Sequence, residues 1–199
     1  TRNGIAVLRY DDRGVEQSTG DFHSATSLDF ASDANAAFHY LAKLENISAN
    51  AIGMIGHSEG GVIAPLASDN NNDLAFIVLL AGPGVNTLDL MLAQQRAIAK
   101  SQNIPEEKLE KIQLISRQIM EQVRDSKSED SAIKAVSKIL SEKNLALIDT
   151  EPEQKLALLE SYTNPWYRYF MSYNPAKHFD NKDLPILALY GELDVQVTA

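Results

Sequence analysis

Gly56-His57-Ser58-Glu59-Gly60, preceded by Ala51-Ile52-Gly53-Met54-Ile55 and followed by Gly61, is the stretch whose reading decides the fold. The apolar run ahead of the pentapeptide suits a short strand buried on both faces, and Val62-Ile63-Ala64-Pro65-Leu66-Ala67 behind it suits the opening of a helix. Strand, glycine-rich turn and helix in that order read as a nucleophile elbow. A G-x-S-x-G turn swings the chain sharply and holds one serine hydroxyl, here that of Ser58, exposed above the sheet in a strained conformation. Side chains at Gly56 and Gly60 are expected to collide across so tight a turn, and Gly61 is expected to let the new helix pack close to the strand it leaves. The plainer reading is a glycine-rich turn whose Ser58 only caps a helix.

Further strand and helix signals flank this centre. Ile5-Ala6-Val7-Leu8-Arg9-Tyr10 is a β-prone run that ends in the turn-rich Asp11-Asp12-Arg13-Gly14, and it predicts a first strand. Thr26-Ser27-Leu28-Asp29 resembles a capping box, and Phe30, Ala34, Ala37, Phe38, Leu41 and Leu44 follow at helical spacing. Ala75-Phe76-Ile77-Val78-Leu79-Leu80-Ala81, stopped by Gly82-Pro83-Gly84, predicts a third strand after Ala51 to Ile55, and Ile186-Leu187-Ala188-Leu189-Tyr190, closed by Gly191, a fourth. Apolar strands separated by helices imply an α/β fold: a mostly parallel sheet with right-handed crossovers and helices on both faces. Ligands in such folds lie at the carboxyl ends of the strands, where Ser58 and the Asp11, Gly82 and Gly191 loops all fall.

Between Gly84 and Leu184 the signals turn helical. Leu109, Ile112, Ile115, Ile119 and Val123 make one apolar stripe, Ile133, Val136, Ile139 and Leu140 another, and Pro105 and Pro152 stand at helix starts. Charge marks the same division: of 18 basic and 27 acidic residues, 13 and 14 lie between Val85 and Asp180, which leaves 5 and 13 on the flanks. The expected organisation is a first part of the core over residues 1–84, an inserted helical cap over 85–183, and a return to the core over 184–199. A cap above the strand ends would shape an acyl pocket and exclude water. Trp166, Tyr167, Tyr169, Phe170 and Tyr173 are either the core of that cap or the lining of its pocket.

Composition bounds the partners. A chain of 199 residues with 44% hydrophobic content has enough apolar side chains to bury a core, and no run reaches the about 20 apolar residues of a membrane span. A net charge of −9 opposes binding to phosphate backbones, so no nucleic-acid partner is expected. Without cysteine there is no disulfide, thiolate nucleophile or cysteine-ligated zinc, and the histidines lack ligand spacing, so neither metal nor cofactor is expected. Asp11 and Asp12 read as loop scaffolding around Arg13.

Three motifs taken together carry a resemblance: Arg9-Tyr10-Asp11-Asp12-Arg13-Gly14 with Ser18-Thr19-Gly20, Gly56 to Gly61, and Gly191-Glu192-Leu193-Asp194 with Gln196-Val197. In that order they resemble the α/β-hydrolase superfamily, particularly bacterial acyl esterases and serine-aminopeptidase-like enzymes. Glu16 departs from the pattern, which has glycine there. The resemblance implies a serine hydrolase cleaving carboxylic esters of a small-molecule acyl substrate, with Ser58 as nucleophile, Asp194 as the acid, and the backbone N–H of Glu59 as one oxyanion donor. An ordinary turn aspartate is the plainer reading of Asp194.

A serine hydroxyl needs a histidine to take its proton and a carboxylate to orient that histidine. The resemblance places that histidine after Asp194, and the chain reaches Ala199 without one. His23, His39, His57 and His178 read as structural or solvent-facing, with His178 or His23 reaching the site as the alternative. The second oxyanion donor is expected from a loop ahead of Thr1. The expectation is therefore a central portion of a hydrolase, inactive and aggregation-prone by itself. Thioester and peptide hydrolysis remain alternatives within catalysis. A non-catalytic binding protein of the same fold is the rival outside it, and a flavodoxin-like nucleotide binder, lacking a phosphate-cradling loop, ranks last.

Overall fold

The computed structural model describes residues 3–179 and 183–197. The expectations attached to Thr1 and Ala199, and residues 180–182 of the expected cap, lie outside them. In chain order the elements are α1 (Ser27–Ala42), β1 (Met54–His57), α2 (Gly60–Ser68), β2 (Ile77–Leu80), α3 (Thr87–Ser101), α4 (Glu106–Asp125), α5 (Glu129–Ile139), α6 (Glu142–Leu147), α7 (Lys155–Thr163), α8 (Pro165–Ser172), α9 (Ala176–Phe179) and β3 (Ile186–Leu189). The chain divides into two compact units, Thr1–Gly84 with Pro175–Tyr190, and Val85–Asn174 with Gly191–Ala199.

The first unit is an α/β layer built on a parallel sheet of order β1-β2-β3, with Met54 opposite Ile77 and Ile77 opposite Ile186. Parallel pairing follows from the connections, because each strand is reached through a helical crossover. Alternation along β2 sends Ile77 and Leu79 into a core with Phe38 of α1, Ala64 of α2, Ile52 and Leu74. Helix α1 starts where its sequence says. The Asp29 carboxylate accepts from the Thr26 backbone N–H at 2.9 Å and from its hydroxyl at 2.8 Å, which closes the capping box.

Two sequence expectations are corrected here. Ile5–Tyr10 forms no strand among the described residues, so the sheet has three strands where four were expected. The reason is visible beside it: Leu8 and Tyr10 line a cleft of about 240 Å³ together with Met54, Ile55 and Gly56, so the two runs face a common space instead of pairing across it. β-propensity is a preference for a pleated surface with neighbours, and without a ladder partner it goes unexpressed. For the same reason β1 is not buried on both faces. Ile55 is 68% exposed on the side of that cleft, and all four residues of β3, at the other end of the sheet, are exposed.

The second unit is helical. Leu109, Ile115, Ile119 and Val123 of the predicted stripe are buried along α4, which packs against α3, α5 and α8, while Ile112 is half-buried. Polar caps set the helix starts: Asn86 accepts from Asp89 N–H at 3.0 Å for α3, and Asn164 from Tyr167 N–H at 2.7 Å for α8. The buried Thr87 hydroxyl donates to the Phe170 carbonyl and its N–H to that of Tyr173, which ties the start of α3 to the end of α8. Tyr167, Phe170 and Tyr173 are buried, and Trp166 stacks on Phe170 with ring centroids 5.0 Å apart. Burial pushes the Tyr162 and Tyr167 phenols above their ordinary range. These three buried aromatics are core of the second unit.

Leu109 has no exposed surface. Leu109→Ala is expected to remove about 2–5 kcal/mol of stability, read as a lower urea midpoint at unchanged slope. An effect under 1 kcal/mol would contradict its place at the centre of this core.

Candidate active site

The turn between β1 and α2 is held by backbone. Ser58 takes a left-handed φ of +53°, a conformation that costs a residue with a Cβ about 1–2 kcal/mol. It is imposed from both sides. The Ser58 N–H continues the β1–β2 ladder by donating to the Leu80 carbonyl at 2.9 Å, while the Ser58 carbonyl already accepts from Gly61 N–H at 2.8 Å at the start of α2. Val62 and Ile63 N–H both donate to the Glu59 carbonyl, at 2.8 and 3.0 Å, so helical bonding begins one residue after the serine.

Space around this turn explains two glycines and corrects a third. A Cβ added at Gly56 would stand 2.0 Å from the Gly60 carbonyl oxygen, and one at Gly61 would stand 2.4 Å from the Gly82 Cα. A Cβ at Gly60 would meet nothing within 4 Å, so the expected side-chain collision at Gly60 does not exist. What matters there is the Gly60 backbone, which is the wall that Gly56 faces. Gly61 likewise serves contact with the loop after β2, not with the strand that α2 leaves.

The loop beyond Ile5–Tyr10 is fastened to α1 by Arg13. Its guanidinium donates from Nε to Asp33 Oδ2 at 2.7 Å and from Nη2 to Asp33 Oδ1 at 2.8 Å, a bidentate pair, and reaches Asp29 Oδ1 at 3.2 Å and the Asp29 carbonyl at 2.9 Å. Asp11 and Asp12 take part through their carbonyls, which accept from the Ser18 hydroxyl at 2.7 Å and from Val15 N–H at 2.9 Å. Glu16 adopts φ +48°, the left-handed conformation that glycine would take freely, so the departure from the motif leaves the turn in place under strain. Hydrogen bonds from the Thr26 backbone and hydroxyl, then the Arg13 charge, hold the Asp29 carboxyl below its ordinary range.

Asp194 stands in a turn of its own. Its N–H donates to the Gly191 carbonyl at 3.1 Å, and its Oδ1 accepts from Gln196 N–H at 2.8 Å and Val197 N–H at 3.1 Å. Ser58 belongs to the first unit and Asp194 to the second.

The four histidines are spread over other contacts. His178 Nδ1 lies 2.6 Å from Asp69 Oδ2. Asp69 is the C-cap of α2, so this pair stands at the opposite end of that helix from Ser58, about 13 Å along its axis. A bound His178 is therefore no substitute base. His23 N–H donates to Asp21 at 2.9 Å, the His39 ring stands edge-on to Phe38 at 5.4 Å, and His57 is the exposed last residue of β1. Among the described residues no three His, Asp or Glu are grouped to hold a metal, and no helix is long and apolar enough to cross a membrane.

Sequence reasoning missed two residues here. Asp33, one helical turn beyond Asp29, carries the stronger half of the Arg13 pairing, and its i,i+4 spacing from Asp29 was a usable signal. Ser27, fully buried, donates to Glu59 Oε1 at 2.7 Å, and nothing in the sequence announces that contact across 32 positions.

A parallel α/β layer in which a strand ends at a left-handed serine and passes directly into a helix belongs with the serine hydrolases of the α/β-hydrolase superfamily. The chain is a member of the family described as X-Pro dipeptidyl-peptidase (S15 family), whose model matches residues 1–198. No curated protein and no solved structure matches it.

Gly56→Ala is expected to cost about 3 kcal/mol or more, because the new methyl meets backbone that is itself fixed by α2, whereas Gly60→Ala finds open space. Comparing the two by urea unfolding checks this, and equal costs would contradict it. The Asp29 carboxyl, lowered on folding, contributes stability that is present above its unfolded value near 3.8 and is lost as pH falls through its folded value. The stability gap between wild type and Asp29→Asn should therefore be widest above about pH 4 and close on acidification below it.

Proposed function

We propose that Ser58 is the nucleophile of an acyl-transfer reaction and that the protein hydrolyses carboxylic esters through an acyl-enzyme on its hydroxyl. The observation that carries this reading is the backbone at Ser58: a non-glycine residue held at φ +53° between the β1–β2 ladder and the first turn of α2, which supports its reading as a nucleophile elbow.

The chemistry then assigns roles. A histidine takes the Ser58 proton, Asp194 orients that histidine, and the Oγ attacks the substrate carbonyl. The Glu59 backbone N–H donates to the oxyanion, with the partial positive charge at the start of α2 adding to it. The collapse of the tetrahedral intermediate expels the alcohol, which takes its proton from the histidine. Water repeats the sequence on the acyl-enzyme.

Membership of the S15 family favours a second substrate class, peptides cleaved after an X-Pro dipeptide, by the same acyl-enzyme. The two share every step up to the leaving group, an alcohol in one and an amine in the other.

In the full-length protein a fluorophosphonate probe is expected to label Ser58, and Ser58→Ala to lose at least about 10³-fold in kcat/KM. An unlabelled wild type whose Ser58→Ala variant is as active would overturn the assignment. Chromogenic short-chain esters run beside X-Pro anilides separate the substrate classes: the ester reading requires the larger kcat/KM on the esters, and the reverse order selects the peptidase.

A further inference from the structure

Two side chains far apart in sequence meet beside the turn at Ser58. Ser27, the first residue of α1, has no exposed surface, and its hydroxyl donates to Glu59 Oε1 at 2.7 Å. Glu59 directly follows Ser58 and is the N-cap of α2. Its carboxylate thus sits at the head of α2 by chain position and against the first residue of α1 by hydrogen bond.

The anchor is itself tied to its neighbours. Thr26, just before Ser27, is locked by the Asp29 carboxylate, and Asp29 and Asp33 are clamped by Arg13. A line of charge-assisted contacts therefore runs from the Arg13 loop through the first turn of α1 to the residue after the serine. Glu59 is not needed for its charge in acyl transfer, yet its backbone N–H is the proposed oxyanion donor. Fixing its carboxylate restrains the Glu59 Cα and the peptide plane that carries that N–H. Donors of this kind act because they are set before the reaction, and displacements well under 1 Å reduce their effect.

We infer that Ser27 is a positioning residue for the hydrolase reaction: by holding the Glu59 side chain it sets the Ser58–Glu59 peptide for stabilising the oxyanion. The inference rests on Ser58 being the nucleophile. A contact that merely packed α1 against α2 would affect stability and leave turnover of folded protein alone.

The test uses the full-length protein as wild type, Ser27→Ala, Glu59→Ala, the double variant and Ser27→Thr, assayed well below each unfolding midpoint. The expected result is a fall of about tenfold in kcat and in the fluorophosphonate labelling rate for Ser27→Ala, with KM within about twofold. The double variant should be no slower than Glu59→Ala, because both changes break one link. Ser27→Thr, which keeps the hydroxyl, should recover most of the loss. Should the added methyl prevent Ser27→Thr from folding, the comparison of single and double variants decides. A Ser27→Ala protein that melts lower yet labels and turns over as fast as a labelled wild type overturns this inference alone, as do single effects that multiply in the double variant. A wild type that is not labelled overturns the reading of Ser58, and the inference with it.

Discussion

Backbone-to-backbone contact at the head of α2 is the constraint on which the first unit depends. Gly56 faces the Gly60 carbonyl, and Gly61 lies against the Gly82 Cα, at distances that leave no room for a methyl group. With α2 pressed so close to the ends of β1 and β2, the chain has one residue in which to reverse, and that residue takes φ +53°. The strain at Ser58 is thus a consequence of packing set by three glycines, and it persists because the sheet ladder on one side and the helix on the other both depend on it.

The same economy of space shapes what surrounds the turn. The first turn of α1 is fixed by the capping box and the bidentate Arg13–Asp33 pair, and through Ser27 it touches the residue that follows the serine. The Arg-Tyr-Asp-Asp-Arg-Gly motif therefore acts as a brace: Arg13 supplies its grip, and the aspartates before it supply carbonyls to a turn. Ala81, at the end of β2, repeats the left-handed reversal of Ser58, at φ +50°, with its N–H bonded to Leu189 in the next strand. Two neighbouring strands thus end in the same way, and the loop that follows the second one supplies Gly82 to the first.

Much of this architecture is written locally in the sequence. The capping box at Thr26–Asp29, the apolar stripe of α4 and the strands near Ile77 and Ile186 are each fixed by neighbours within a few positions and are found where the residues indicate, whereas the strand expected over Ala51–Ile55 runs over Met54–His57, directly up to Ser58. What could not be read depends on distant chain. Ile5–Tyr10 has the composition of a strand, but a strand exists only with a ladder partner, and these residues face a cleft. Gly60 looked like a steric requirement because the motif has glycine there, whereas the three-dimensional contact belongs to Gly56. The pairing of His178 with Asp69 and of Ser27 with Glu59 spans 109 and 32 positions, and neither has a periodic or compositional trace.

The serine hydrolase class follows from the family, and the chemistry proposed for it converges on one hydroxyl. The most direct measurement is to quench the full-length protein with acid during turnover of a chromogenic ester and to map the acylated peptide by mass spectrometry. The account predicts a mass increase equal to the acyl group on the peptide containing Ser58, formed in a burst with the released alcohol. An acyl group on any other residue, or turnover with no covalent intermediate and an unmodified Ser58 peptide, would contradict it.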